Sequence, residues 1–173
     1  SYNVFVKEWF VLMKMFTTQL TGLFKRIEDK EEFSFEDGAR LLAQGQSIYL
    51  VGFREMKAVE FEALEGAEPL KGVSLDIEAA TSADRVLLFT RNSSDQEAVD
   101  LAGKLQEKNI PLVAVSTGVP DGKLEGMADV HINLQLTKAL LPDDFGNRYG
   151  YPSSMAALYV YYGLKFTIDE ILA

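Results

Sequence analysis

At 173 residues with 47% hydrophobic and 25% charged side chains, the chain has the composition of a globular domain with a sizeable core. Its formal net charge of −9 argues against a general nucleic-acid or anionic-membrane binder, though local basic groups can still hold a small phosphorylated ligand. With no cysteine and one histidine, disulfides and thiolate metal sites are excluded, no metal is expected, and a reducing cytoplasm is compatible. No apolar run is long enough to span a bilayer, and Lys7, Glu8 and Lys14 break up the start of the chain.

Residues 4–28 are predicted to form an amphipathic helix. Phe5, Trp9, Leu12, Phe16, Leu20, Leu23 and Ile27 recur at steps of three and four, a stripe for core or subunit interface. Glu28–Glu32 reads as a charged loop, and Ser34 as the cap of a second helix ending near Gly45. Ser47–Gly52 is the first strand, and the helix Glu55–Glu68 turns Met56, Val59, Ala63 and Leu64 inward. Val73–Ile77 is a weaker second strand.

Asp84–Thr117 is the organising stretch. Arg85–Thr90 and Pro111–Ser116 are short continuous apolar runs, the pattern of strands buried on both faces. Between them, Ala98, Leu101, Ala102 and Leu105 keep helical spacing, so the unit is a right-handed parallel crossover. Ser94-Asp-Gln-Glu97 is a capping-box pattern that places the helix start at Ser94. Val130–Leu134 is a fifth strand, Pro142–Tyr151 a polar loop, and Pro152 opens a last helix whose Met155, Leu158, Tyr159, Tyr162 and Phe166 form a broad apolar face.

Five parallel strands alternating with helices indicate one three-layer, doubly wound α/β domain over 1–173. Leading helices occupy 1–45, the core sheet and crossovers 46–135, and the final loop and helix 136–173. The flavodoxin-like order 2-1-3-4-5 reverses the winding between the first and third strands, and ligands bind there. The flanking loops are Gly52–Lys57 and Thr90–Asp95. Hydroxyls, helix N–H groups and Arg91 in the Thr90–Ser94 turn suit a phosphate. Against this, Asp95 and Glu97 can satisfy the helix end unaided, leaving Arg91 solvated. Arg54, on the opposite lip, is a second anion contact or a solvated loop arginine. Gly52-Phe53 supplies neither the acidic strand end of a phosphoacceptor receiver nor the Ser/Thr-rich turn of a flavin site.

Over residues 15–172 the chain resembles the SIS (sugar isomerase) domain family, and most of all its phosphoheptose isomerase branch. The likeness is carried by the leading helices, the glycine ending the first strand, the Thr90–Ser94 turn, Lys108-Asn-Ile-Pro-Leu-Val-Ala-Val-Ser116, and Gly122-Lys-Leu-Glu-Gly-Met-Ala-Asp129. In that family a turn close to Ser-Thr-Ser-Gly-Asn-Ser cradles phosphate; here Thr90 and Ser94 match, while Arg91 and Asn92 replace a serine and a glycine. Of the family's first loop, Gly-x-Gly-x-Ser, only Gly52 remains.

The resemblance implies a cytoplasmic homo-oligomer, dimer or tetramer, that binds a sugar phosphate and needs no added cofactor. The implied binding residues are Gly52, Arg54, Glu55, Thr90, Arg91, Asn92, Ser93 and Ser94. If it is an enzyme, the resemblance implies aldose–ketose isomerisation, with a base on the helix after the first strand moving a proton between adjacent carbons. Glu65 is then the candidate with Glu62 beside it, unless a one-position shift places Gly66 there. A solvated acidic helix face is the competing account. The C-terminal-helix histidine of phosphoheptose isomerases has no counterpart in 152–173, and His131 reads as a packed strand residue. Lys165, Asp143, Asp144 or a tyrosine are the remaining acid/base substitutes. The alternative is a non-catalytic binding or regulatory module.

Overall fold

The computed structural model describes residues 2–173, with side chains from Glu8 onward. Helices α1 (Tyr2–Lys30) and α2 (Glu32–Ala43) precede β1 (Ile48–Gly52) and α3 (Lys57–Glu65). Then come β2 (Arg85–Asn92), α4 (Gln96–Glu107), β3 (Leu112–Thr117), the short α5 (Leu124–Met127) and β4 (Val130–Asn133). A two-residue hairpin pair, β5 (Leu141–Pro142) and β6 (Arg148–Tyr149), leads into α6 (Ser153–Leu172).

The four long strands pair in parallel in the order β1-β2-β3-β4. Alternation along β2 builds two cores. Leu87 and Phe89 join Val113, Val115 and Ile132 under α2, α3 and α6. Val86 and Leu88 join Leu112 and Ala114 under α4 and α5. No described helix is long and apolar enough to cross a membrane.

The sheet has four strands where five were expected. Val73–Ile77 contributes one parallel bridge, Tyr49 to Ser74. The Ser74 hydroxyl accepts the Asp76 N–H at 3.2 Å and the chain turns into a short 3-10 helix, Ile77–Ala79, so the ladder cannot propagate. The predicted loop at Glu28–Glu32 shrinks to Glu31, because Glu and Lys are good helix formers. Glu31 turns its carboxylate inward to accept the Asn133 N–H at 2.6 Å and the Gln135 side-chain amide at 3.3 Å. Burial raises its pKa, with those bonds opposing. Ser34 lies within α2 and caps nothing.

Three apolar faces are placed differently from expectation. Leu64 is 48% exposed. On α1 only Leu23 and Ile27 of the predicted stripe are fully buried, and the Phe5 side chain lies outside the described residues. On α6 the buried stripe is Ala156, Ala157, Val160, Tyr161, Leu164 and Ile168, while Met155 and Phe166 face outward.

Candidate functional site

The C-terminal ends of β1 and β2 open onto a crevice with two lips. After β1 the chain turns at once into a 3-10 turn, Arg54–Met56. A Cβ on Gly52 would lie 2.2 Å from the Met56 carbonyl oxygen, so the close approach requires glycine. The Glu60 carboxylate reaches back from α3 to accept the Gly52 N–H at 2.7 Å, fixing the lip from behind. Arg54 adopts φ 56°, a left-handed conformation costing a non-glycine residue about 1 kcal/mol. Such strain persists where surrounding structure or function holds it. Among the described residues no carboxylate lies within ion-pairing distance of the exposed Arg54 side chain.

The second lip follows a register shift between Phe89 and Asn92 in β2. Asp95 dominates it. Its Oδ2 accepts the Thr90 hydroxyl at 2.6 Å and the Asn92 N–H at 3.0 Å, so this carboxylate holds two donors of the predicted phosphate cradle. The capping box at Ser94–Glu97 does not form. Asp95 stands at the N-cap with its side chain turned back, and the helix begins at Gln96. Ser93 is fully buried and anchors the neighbouring loop: its N–H donates to the Thr117 carbonyl, and its hydroxyl accepts the Val119 N–H at 3.0 Å. That anchoring pulls Ser94 out of capping position. The first main-chain bond into α4 is Val99 N–H to the Asp95 carbonyl, which leaves the N–H groups of Gln96, Glu97 and Ala98 without a main-chain acceptor.

Arg91 is engaged. Its Nε and Nη2 donate to Glu55 at 2.7 and 3.0 Å, and the hydroxyl of Ser153, at the start of α6, donates to the same carboxylate at 2.6 Å. Burial alone raises the Glu55 pKa, yet the Arg91 and Ser153 hydrogen bonds outweigh it and hold the carboxyl down to about 2.

Two hollows flank the turn. One of about 250 Å³ is lined by Phe53, Arg54, Thr90, Ser94, Asp95, Gln96 and Glu97. The other, about 440 Å³, lies over Arg91, Asn92, Tyr151 and Ser153. The first therefore joins Arg54 to the unoccupied helix amides. Within the second, Arg91 and Ser153 already satisfy each other through Glu55, and the Tyr151 hydroxyl donates to the Leu136 carbonyl at 2.5 Å.

The other predicted residues lie elsewhere. Glu65 ends α3, exposed, roughly 12 Å along the helix axis from its start. Glu62 accepts the Tyr162 hydroxyl at 2.5 Å, which lowers its pKa. His131 is in hydrogen-bond contact with Ser116 Oγ at 2.7 Å on the opposite face of the sheet from α3, and burial lowers its pKa. Lys165 pairs with Asp169 and Glu68, and Asp143 accepts the Phe145 and Asn147 N–H groups in the β5–β6 hairpin. Asp144 sits exposed in that hairpin. Glu60, Tyr151 and Ser153 were not singled out from the sequence. Pro152 marked the helix start, but nothing local tied Ser153 to Glu55.

A parallel α/β sheet wound this way, with ligand-sized hollows where the winding reverses, has the fold of the sugar-isomerase (SIS) proteins. The Escherichia coli CFT073 protein c3406, solved in complex with a sugar phosphate, superposes with a TM-score of 0.69 at 12% identity, over 96% of this chain and 93% of that one. A phosphoheptose isomerase from Francisella tularensis gives 0.64 at 11% identity, over 92% and 97%. Within that fold the chain belongs to the family described as "Domain of unknown function (DUF2529)", whose model matches residues 12–172. It is also 48% identical over 169 residues to the uncharacterized protein YwjG of Bacillus subtilis (strain 168), covering 93% of this chain and 98% of that protein.

Proposed function

We propose that the chain binds a sugar phosphate in the crevice between Gly52–Lys57 and Thr90–Asp95. The phosphate sits against the first turn of α4 and within reach of Arg54. The observation that carries this reading is the pairing of a strained, unpartnered arginine with three unoccupied helix N–H groups around one hollow. Asp95 occupies the inner part of the cradle as a built-in carboxylate, so the phosphate lies on the outer, Arg54 side. The sugar extends toward Asn92 and Tyr151. Ser94 adds a hydroxyl; Thr90, Ser93, Glu55 and Arg91 shape the turn. The cytoplasm is the compartment this reading requires.

Binding without turnover is the better-supported form. Isomerisation needs a base and an acid beside adjacent carbons of the substrate, whereas Glu65 is remote along α3 and Glu62 is tied to Tyr162. The second reading is an aldose–ketose isomerase of the phosphoheptose type, favoured by the likeness to the Francisella enzyme and by the ionised Glu62 at the α3–α6 contact. Thermal shift against aldose and ketose phosphates and their unphosphorylated sugars tests the first reading. The melting temperature rises only with the phosphorylated compounds, and the rise disappears in Arg54→Ala. Equal response to both sets would overturn it. Interconversion of an added pair followed by NMR, lost in Glu65→Gln or Glu62→Gln with binding retained, would favour the enzyme.

A further inference from the structure

The crevice holds neither the largest hollow nor the most apolar surface of the molecule. A groove of about 640 Å³ runs between α6 and the α1–α2 junction, walled by Phe35, Tyr159, Tyr162 and Phe166 with Glu28 and Glu32 on its rim. Phe24 of α1 stacks on Tyr159 at 4.4 Å and closes one end. The other unpartnered surface is the leading half of α1, where Trp9, Phe10, Val11, Met13 and Met15 are each 40–55% exposed.

These two surfaces belong to one face of one helix. Phe10, Met13, Thr17, Thr21, Phe24 and Glu28 recur at steps of three and four, so the exposed arm and the groove share a stripe along α1. We propose that a second copy of this chain covers both. The two α1 helices pack antiparallel about a two-fold axis near Thr17–Thr21, and the arm of each copy lies in the groove of the other.

Three features fit that occupant. The arm and groove lie on opposite sides of the axis along the same stripe, as an isologous contact demands. Thr17 and Thr21 donate their hydroxyls to the Met13 and Thr17 carbonyls at 2.8 Å each, so a close crossing meets methyl groups and no unsatisfied donor. The antiparallel arrangement also carries Lys14 toward Glu28 of the partner subunit, opposite in charge. Glu68, at the far wall, is already paired with Lys165 at 3.1 Å. None of the groove residues lines either crevice hollow, so this contact stands independently of ligand binding.

Trp9 is the sole tryptophan and reports directly on the arm. Sedimentation velocity should give a dimer at micromolar concentration, with Trp9 emission blue-shifted relative to a diluted sample. Met13→Glu on the arm and Phe166→Glu in the groove should each weaken the dimer by about thirty-fold or more. Both are exposed positions, so unchanged circular dichroism melting of the monomer separates this from misfolding. Phe166→Glu should also move Trp9 emission to the red. Lys14→Glu should weaken association several-fold and Glu28→Lys added to it should restore association. A monomer at all concentrations, or a dimer that tolerates both glutamate substitutions, would overturn the proposal. So would a monomer whose Trp9 emission shifts only on adding phosphatidylglycerol vesicles, because the arm would then serve a lipid surface.

Discussion

Two arginines stand on the two lips of the crevice, and they differ in every physical respect that matters for an anion. Arg91 is spent: two of its nitrogens are bonded to Glu55, which Ser153 also holds. Arg54 has no carboxylate within ion-pairing distance among the described residues, sits in a left-handed conformation and shares a hollow with the first turn of α4. A guanidinium already paired in a bidentate contact offers little to an incoming phosphate, whereas an unpaired one beside a helix N-terminus offers charge and donors together. The difference separates the residue that shapes the mouth from the residue that meets the ligand.

The severest way to break the comparison is to deform the lip that carries Arg54. Gly52→Ala puts a methyl group 2.2 Å from the Met56 carbonyl oxygen, and the backbone must move. A loss of about 3 kcal/mol in urea unfolding is expected, together with loss of phosphate binding. Arg91→Ala should behave differently, costing about 1–2 kcal/mol of stability, the pair being discounted because Arg91 is 44% exposed. Its signature lies in pH. A carboxyl held at about 2 against an ordinary 4.5 contributes stability above the higher value and loses it as pH falls through that window. Wild-type stability should therefore drop between pH 4.5 and about 2, and Arg91→Ala should flatten the drop.

Arg54→Ala should leave the fold intact and weaken sugar-phosphate binding about tenfold by isothermal titration calorimetry, one charge-assisted contact being lost. The smallest effect sharpens the contrast most. Arg54→Gly should raise unfolding stability by up to about 1 kcal/mol, since glycine accepts φ 56° without strain, while still weakening binding. No stabilising counterpart is expected at Arg91.

The architecture was legible where the chain carries unbroken Val- and Leu-rich runs. β2 and β3 are buried on both faces, so nothing competes with the reading of Arg85–Thr90 and Pro111–Ser116. Val73–Ile77 failed because one serine hydroxyl diverts the backbone, a local competition that periodicity does not register. On α6 the aromatic residues drew attention to a face that stays open, while the smaller Ala156, Ala157 and Val160 carry the packing. In the crevice, topology alone nominated both lips. The assignment of partners within them was not legible, because Glu55 is claimed by Ser153 from 98 positions away and Asp95 folds back instead of capping its helix.

The most direct test of the account is an amide chemical-shift titration of the full chain with a sugar phosphate. The largest perturbations are predicted at Ser94, Gln96, Glu97 and Ala98 and at Arg54 Nε, and they should vanish in Arg54→Ala. Saturable shifts confined to Arg91, Tyr151 and Ser153, or no shifts at all, would contradict it.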